Sequence, residues 1–158
     1  MLDTLVLSVT YRCPIKCRYC GAECGPEQTD ELSLDEMIEL VEHVRSYGQL
    51  ELVVFTGGEP FLLGDDLRAV VEYCTGLDLK TRIVTNAYWA VTPERAREIV
   101  ESYVDAGLSE INLSADDYHQ EFLPVERIRF ANEASSEAGL PCLIGHKVMQ
   151  GCKLTIER

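Results

Sequence analysis

A strand-then-helix phrase repeats four times along the chain, and the strand of a fifth unit follows it. The β-rich runs are Leu5 to Thr10, Leu50 to Thr56, Thr81 to Thr85, Glu110 to Ser114 and Pro141 to Val148. Short apolar runs of this kind read as strands covered by helices. After a first gap of about forty-five residues they recur about every thirty, the length of one βα unit. The segments between them carry helix signals. Ser33 and Glu36 form a capping box ahead of an apolar stripe of Met37, Ile38, Leu40, Val41 and Val44, and Gly48 ends that helix. Asp65 or Asp66 caps a second helix whose inner face is Leu67, Val70, Val71 and Cys74. Thr92-Pro93 opens a third, with Ala96, Ile99, Val100 and Tyr103 inward and Gly107 at its end. Pro124 opens a fourth, with Val125, Ile128 and Phe130 apolar and Gly139 closing it.

Strands alternating with helices predict an α/β fold built on a parallel sheet. The expected architecture is a partial (βα) barrel of about four and a half βα units, because a complete eightfold barrel takes about 250 residues. A flavodoxin-like doubly wound sheet has the same periodicity and stays open as a rival. With 158 residues, no Pro/Ser-rich linker and no charge block, residues 1–158 read as a single domain.

The composition, 46% hydrophobic and 26% charged, is that of a chain with a packed core. A formal charge of −13 disfavours nucleic acid and anionic membrane surfaces as partners. No apolar run approaches the eighteen or so residues of a membrane span, and the N-terminal residues lack a secretory leader. The expected location is therefore the cytoplasm, where thiols stay reduced. Seven cysteines, an odd number, then read as ligands plus buried thiols rather than as a disulfide framework.

In parallel α/β folds, reactive groups collect where strands end. Here the first strand is followed by Cys13, Cys17 and Cys20, and the second by Gly57-Gly58-Glu59-Pro60. Asn86 follows the third strand, and Asp116, Asp117, Tyr118 and His119 follow the fourth. Cysteines this closely spaced can wrap one compact ion or cluster as thiolates. A zinc site with Cys24 as fourth ligand is one alternative. Three thiolates on a four-iron cluster would instead leave one iron open for chemistry.

The C-x3-C-x2-C spacing, with Tyr19 just before the last cysteine, resembles the radical SAM signature. Thr56-Gly57-Gly58-Glu59-Pro60 resembles that family's GGEP motif, and Asn86 in Val84-Thr85-Asn86-Ala87 its Thr-Asn-Gly turn, with Ala87 in place of glycine. Leu113-Ser114-Ala115-Asp116 resembles its Ser-x-Asp segment. The resemblance extends over residues 4–148. It implies a [4Fe–4S] cluster on Cys13, Cys17 and Cys20, with S-adenosylmethionine chelating the fourth iron. Gly57 and Gly58 would let backbone carbonyls reach the methionine ammonium, and Pro60 would stiffen the turn. Glu59 would add charge complementarity or fix the loop. Ser114 and Asp116 would meet the ribose hydroxyls with Asn86 nearby, and Tyr19 would lie on the adenine, shield the cluster or simply pack.

The implied activity is reductive cleavage of S-adenosylmethionine to a 5′-deoxyadenosyl radical that abstracts hydrogen from a substrate, a peptide or protein among the candidates. An external one-electron donor, flavodoxin- or ferredoxin-like, is implied as partner. Members of the family usually have six βα units, so a C-terminally incomplete core is also implied. A remnant or half-barrel without catalysis of its own, and an activase of a glycyl radical enzyme, are the alternatives. Weaker candidates are Tyr118 and His119 for the substrate pocket or a proton relay, and His146 and Lys147 at the end of the fifth strand. Cys142 or Cys152 are candidates for returning a hydrogen atom, and Cys74 reads as core. Trp89 would roof the nucleotide or pack on the barrel end.

Overall fold

A computed structural model describes residues 3–147. Five strands form one sheet: β1 (Thr4–Thr10), β2 (Leu52–Gly57), β3 (Lys80–Thr85), β4 (Glu110–Ser114) and β5 (Cys142–Gly145). All four pairings are parallel, and the strands lie in the order β1-β2-β3-β4-β5. A doubly wound sheet reverses its strand order at a switch point. This sheet never reverses, so the flavodoxin-like alternative is excluded and the progression is that of a barrel wall.

Successive right-handed crossovers place the connecting helices on one face of such a sheet. They are α1 (Leu34–Arg45), α2 (Asp65–Gly76), α3 (Pro93–Asp105) and α5 (Glu126–Glu137), with α1 packed on α2 and α3 on α5. Leu7, Val9, Val53, Phe55, Ile83, Ile111 and Leu113 point toward them and are buried against Met37, Val41, Leu67, Val70, Val71 and Val100. Burying a side chain such as Phe55 is worth about 1.5–3 kcal/mol. The opposite face is more polar, with Ser8, Thr56, Arg82, Glu110, Asn112 and Ser114 alternating with the core residues. There the Arg82 guanidinium meets the Glu110 carboxylate of the neighbouring strand at 2.7 Å.

The Ser33–Glu36 capping box forms as expected, with Ser33 N–H donating to Glu36 at 2.8 Å. Thr92 caps α3 through Arg95 N–H, and Pro93 takes its first position. Other expectations need correction. Leu40 is exposed rather than part of the buried stripe, because α1 turns only Met37 and Val41 fully inward. Asp65 and Asp66 lie inside the first turn of α2, where their negative charges complement the positive end of the helix dipole, and Gly64 stands at the cap without a side-chain bond. Two short elements join the expected ones: a 3-10 turn at Pro60–Leu63 and the single-turn helix α4 (Asp117–Gln120). The fifth strand ends at Gly145, and its expected last residue, Val148, lies outside the described residues.

Candidate active site

The exits of β1 and β2 are joined before any side chain contributes. Gly58 N–H donates to Thr10 O at 2.6 Å and Glu59 N–H to Arg12 O at 2.9 Å, so the β2 turn lies directly on the backbone that leads into Cys13. A Cβ on Gly58 would overlap the Arg12 carbonyl, and one on Gly57 the Thr10 carbonyl. Gly57 also has φ +120, which side chains rarely adopt. The two glycines are thus required by the approach of two loops, whatever their carbonyls face.

The cysteine loop is fixed from its other side by Cys13 N–H to Gly25 O at 3.1 Å and Gly25 N–H to Tyr11 O at 3.2 Å. These bonds leave Cys13, Cys17 and Cys20 lining one cavity of about 210 Å³. Of the eight residues expected to bind S-adenosylmethionine, Tyr19, Gly57, Gly58, Asn86, Ser114 and Asp116 line it too. Glu59 and Pro60 sit behind the wall, both buried.

Burial pushes the thiols of Cys13 and Cys17 up to about 11, and Cys24, beside Cys20, to about 12. Bare, these groups hold their protons, and a bound metal centre would displace them. Among the described residues, no three Cys, His, Asp or Glu side chains converge closely enough to hold one metal ion. A single zinc ion is therefore a poor fit. A cluster is a better one, since each thiolate then meets a different iron. Two N–H donors already face the sulfurs: Cys24 N–H to Cys20 Sγ at 3.3 Å and Asn86 Nδ2 to Cys13 Sγ at 3.5 Å. The donor set and its hydrogen bonds suit a thiolate-ligated cluster.

Glu59 turns away from the cavity and organises the exit of β3. Its carboxylate accepts Thr85 Oγ1 at 2.7 Å, Asn86 N–H at 2.9 Å and Phe61 N–H at 3.2 Å. Burial raises its pKa to about 7 against the pull of those bonds. Thr85 Oγ1 accepts in turn from Ala87 N–H at 3.0 Å and Trp89 Nε1 at 3.1 Å. Trp89 packs on Phe61, with ring centroids 4.8 Å apart, and is not in the cavity wall. It packs on the barrel end. Sequence reasoning passed over Thr85, whose hydroxyl joins three loop residues, because a threonine ending a strand carries no chemical signature.

Asp116 caps α4, accepting Tyr118 N–H at 3.1 Å and His119 N–H at 3.2 Å, and its Oδ1 lies 2.8 Å from His119 Nδ1. Burial tends to raise its pKa, but these hydrogen bonds and the histidine bring it below the ordinary carboxylate value. Tyr118 and His119 both line the cavity. The Tyr118 ring lies 4.6 Å from that of Tyr19, and Arg18 pairs with Glu121, so α4 and the cysteine loop are clasped together. Lys147 also lines the cavity and donates to Tyr19 O at 3.2 Å, while His146 bonds Ala115 O and is not in the wall. Cys142 pairs in register with the helix-facing Ile111 and does not line the cavity, which removes the basis for a hydrogen-atom role. Cys74 is core, and Cys152 lies outside the described residues.

A parallel barrel wall with three thiols at the end of its first strand and polar turns after the next three defines a cluster-binding α/β core. The sequence profile of the radical SAM superfamily matches residues 7–141, and the chain belongs to that superfamily. It is similar to the PqqA peptide cyclase of Rhodopseudomonas palustris, 33% identical over 111 residues, which are 70% of this chain and 28% of that one. It is also similar to the GTP 3′,8-cyclase of Mannheimia succiniciproducens, 39% identical over 117 residues, 71% of this chain and 32% of that one. Among solved structures, BtrN in complex with AdoMet and 2-DOIA shares the fold, with a TM-score of 0.58 at 18% identity. It covers 91% of this chain and 57% of its own. The chain thus spans about a third or less of those two curated relatives. No helix among the described residues is long and apolar enough to cross a membrane.

Proposed function

We propose that this chain is the cofactor-binding part of a radical SAM enzyme, with Cys13, Cys17 and Cys20 holding a [4Fe–4S] cluster and S-adenosylmethionine occupying the rest of their cavity. The observation that carries this reading is the convergence of four strand ends on that one cavity: the three cysteines with Gly57, Gly58, Asn86, Ser114 and Asp116. When bound, the cluster and S-adenosylmethionine supply a 5′-deoxyadenosyl radical that takes hydrogen from a substrate.

The chain's own residues have separable tasks in this proposal. Gly57 and Gly58 bring the β2 backbone against the cysteine loop, so the two cofactors share one wall. Ser114 and Asp116, at the end of β4, would meet the ribose hydroxyls. Glu59 and Pro60 act from behind by fixing the turns. Tyr19 and Tyr118 form a lip that limits water at the cavity mouth. His119, held by Asp116, is the cavity-lining group suited to move a proton on a substrate.

A peptide substrate is the finer part of the proposal, and it rests on similarity to a peptide cyclase. An external one-electron donor belongs to it as well, since reductive cleavage consumes an electron, and so does a cytoplasmic setting, where thiols stay reduced. Residues 1–158 are taken as one unit of the core. The second reading is a half-barrel without turnover of its own, since the chain spans about a third or less of the two curated relatives. Anaerobic reconstitution with iron and sulfide, then dithionite and S-adenosylmethionine, separates the two. Formation of 5′-deoxyadenosine is the result expected of an enzyme. A loaded cluster that yields none assigns the isolated chain to the binding-only class.

A further inference from the structure

We propose that Asn86 tunes the reduction potential of the cluster through a hydrogen bond from its Nδ2 to the sulfur of Cys13. The proposal rests on the cluster assignment above and goes beyond it to a residue that touches a ligand rather than the iron.

Asn86 has no freedom to do otherwise. Its Oδ1 accepts Tyr88 N–H at 3.0 Å, which settles which end of the amide is nitrogen, and that nitrogen lies 3.5 Å from Cys13 Sγ. Flipping the amide would set N–H against N–H at Tyr88 and oxygen against sulfur at Cys13. Its backbone N–H is held by the Glu59 carboxylate at 2.9 Å. Thr85 ties the same carboxylate to Ala87 and Trp89, and Ala87 takes the left-handed φ of 58 that curls the turn under the amide. The side chain is 5% exposed, so water neither competes for the sulfur nor screens the bond.

A one-electron reduction places more negative charge on the thiolate sulfurs. A donor aimed at one of them stabilises the reduced cluster more than the oxidised one and raises its potential. The other N–H on a ligand sulfur, from Cys24 to Cys20, is backbone and survives side-chain substitution. Asn86 is thus the side-chain lever on the cluster among the described hydrogen bonds, and it carries the β3 turn into contact with the loop after β1.

The test compares reconstituted wild type, Asn86→Asp and Asn86→Ala. Iron content and a mediated redox titration followed by electron paramagnetic resonance are the readouts, and neither depends on turnover. Both variants are expected to titrate at lower potential, Asp lower than Ala because it turns a charged oxygen to the sulfur. At the solution potential that half-reduces the wild type, the reduced-to-oxidised ratio falls about threefold or more. If Asn86→Asp does not load, Asn86→Ala carries the comparison. Equal potentials in loaded wild type and loaded variant overturn the tuning role, including the case in which iron uptake drops without a shift. A wild-type chain that takes up no iron overturns the cluster assignment instead, and the tuning role with it.

Discussion

Glu59 is fully buried, yet it spends its carboxylate on the neighbouring loop: one oxygen accepts the backbone N–H of Asn86 at 2.9 Å. The other takes Thr85 Oγ1 and Phe61 N–H. The acid of the Gly-Gly-Glu-Pro run is therefore a brace between β2 and β3.

Burial lifts the pKa of Glu59 from 4.5 to about 7, so the folded chain keeps a proton that the unfolded chain releases between those values. Stability contributed by this group falls as pH rises through that window, by up to about 3 kcal/mol, and levels off above it. Glu59→Gln removes the titration while losing one of the accepted bonds. Urea unfolding at pH 5 and pH 8 should show the variant further below wild type at pH 5 than at pH 8. A difference independent of pH would count against a buried, titrating brace.

Gly58→Ala should be among the most damaging small changes in the chain. The added methyl meets the Arg12 carbonyl, which is backbone and cannot swing aside, so a loss of about 1–3 kcal/mol or more is expected, together with displacement of Cys13. Gly76→Ala, near the end of α2 with open space around it, is the matched control and should be neutral to slightly stabilising. Thermal melts and iron uptake of the two variants decide the point. Equal behaviour would refute the close-approach explanation of the glycine pair.

Asp116→Ala should cost about 1–3 kcal/mol, because it removes the cap of α4 and leaves His119 without its partner. Asp116→Asn should cost less, since an amide oxygen still caps. Because the folded-state pKa of Asp116 is depressed, its contribution is present at neutral pH and fades on acidification through the carboxylate range. The check is a pair of melting curves at pH 7 and pH 4. Wild type and Asp116→Ala should differ more at pH 7.

Cys24 separates a cluster from a zinc site. It is buried in the cavity wall beside Cys20 but lies outside the C-x3-C-x2-C trio. Cys24→Ala should keep four irons after reconstitution, whereas Cys13→Ala, Cys17→Ala and Cys20→Ala should each lose most of the cluster absorbance. Loss of metal in Cys24→Ala equal to the other three would favour four-thiolate coordination.

Much of this architecture is legible in the sequence because it is local. The βα phrase shows in the alternation of apolar runs, and the Ser33 box and Thr92-Pro93 mark their helices within a few residues. The cavity is legible too, since parallel strands of one sheet must end on one rim. What could not be read depends on contacts far apart in the chain. Glu59 turning inward requires Thr85 and Asn86 to be waiting there, some twenty-six residues on. Helix α4 is one turn long and leaves no periodicity, so Asp116 looked like a ligand-binding group before it could be seen as a cap. Strand order, which separates a barrel wall from a doubly wound sheet, is not encoded in periodicity at all.

The central claim is that Cys13, Cys17 and Cys20 hold a four-iron cluster with one iron open to S-adenosylmethionine. The most direct measurement is the electron paramagnetic resonance spectrum of the anaerobically reconstituted, dithionite-reduced chain, recorded before and after S-adenosylmethionine is added. A reduced [4Fe–4S] signal whose shape changes when S-adenosylmethionine binds is the predicted result. A chain that takes up zinc and no iron, or a cluster whose signal is indifferent to saturating S-adenosylmethionine, would contradict it.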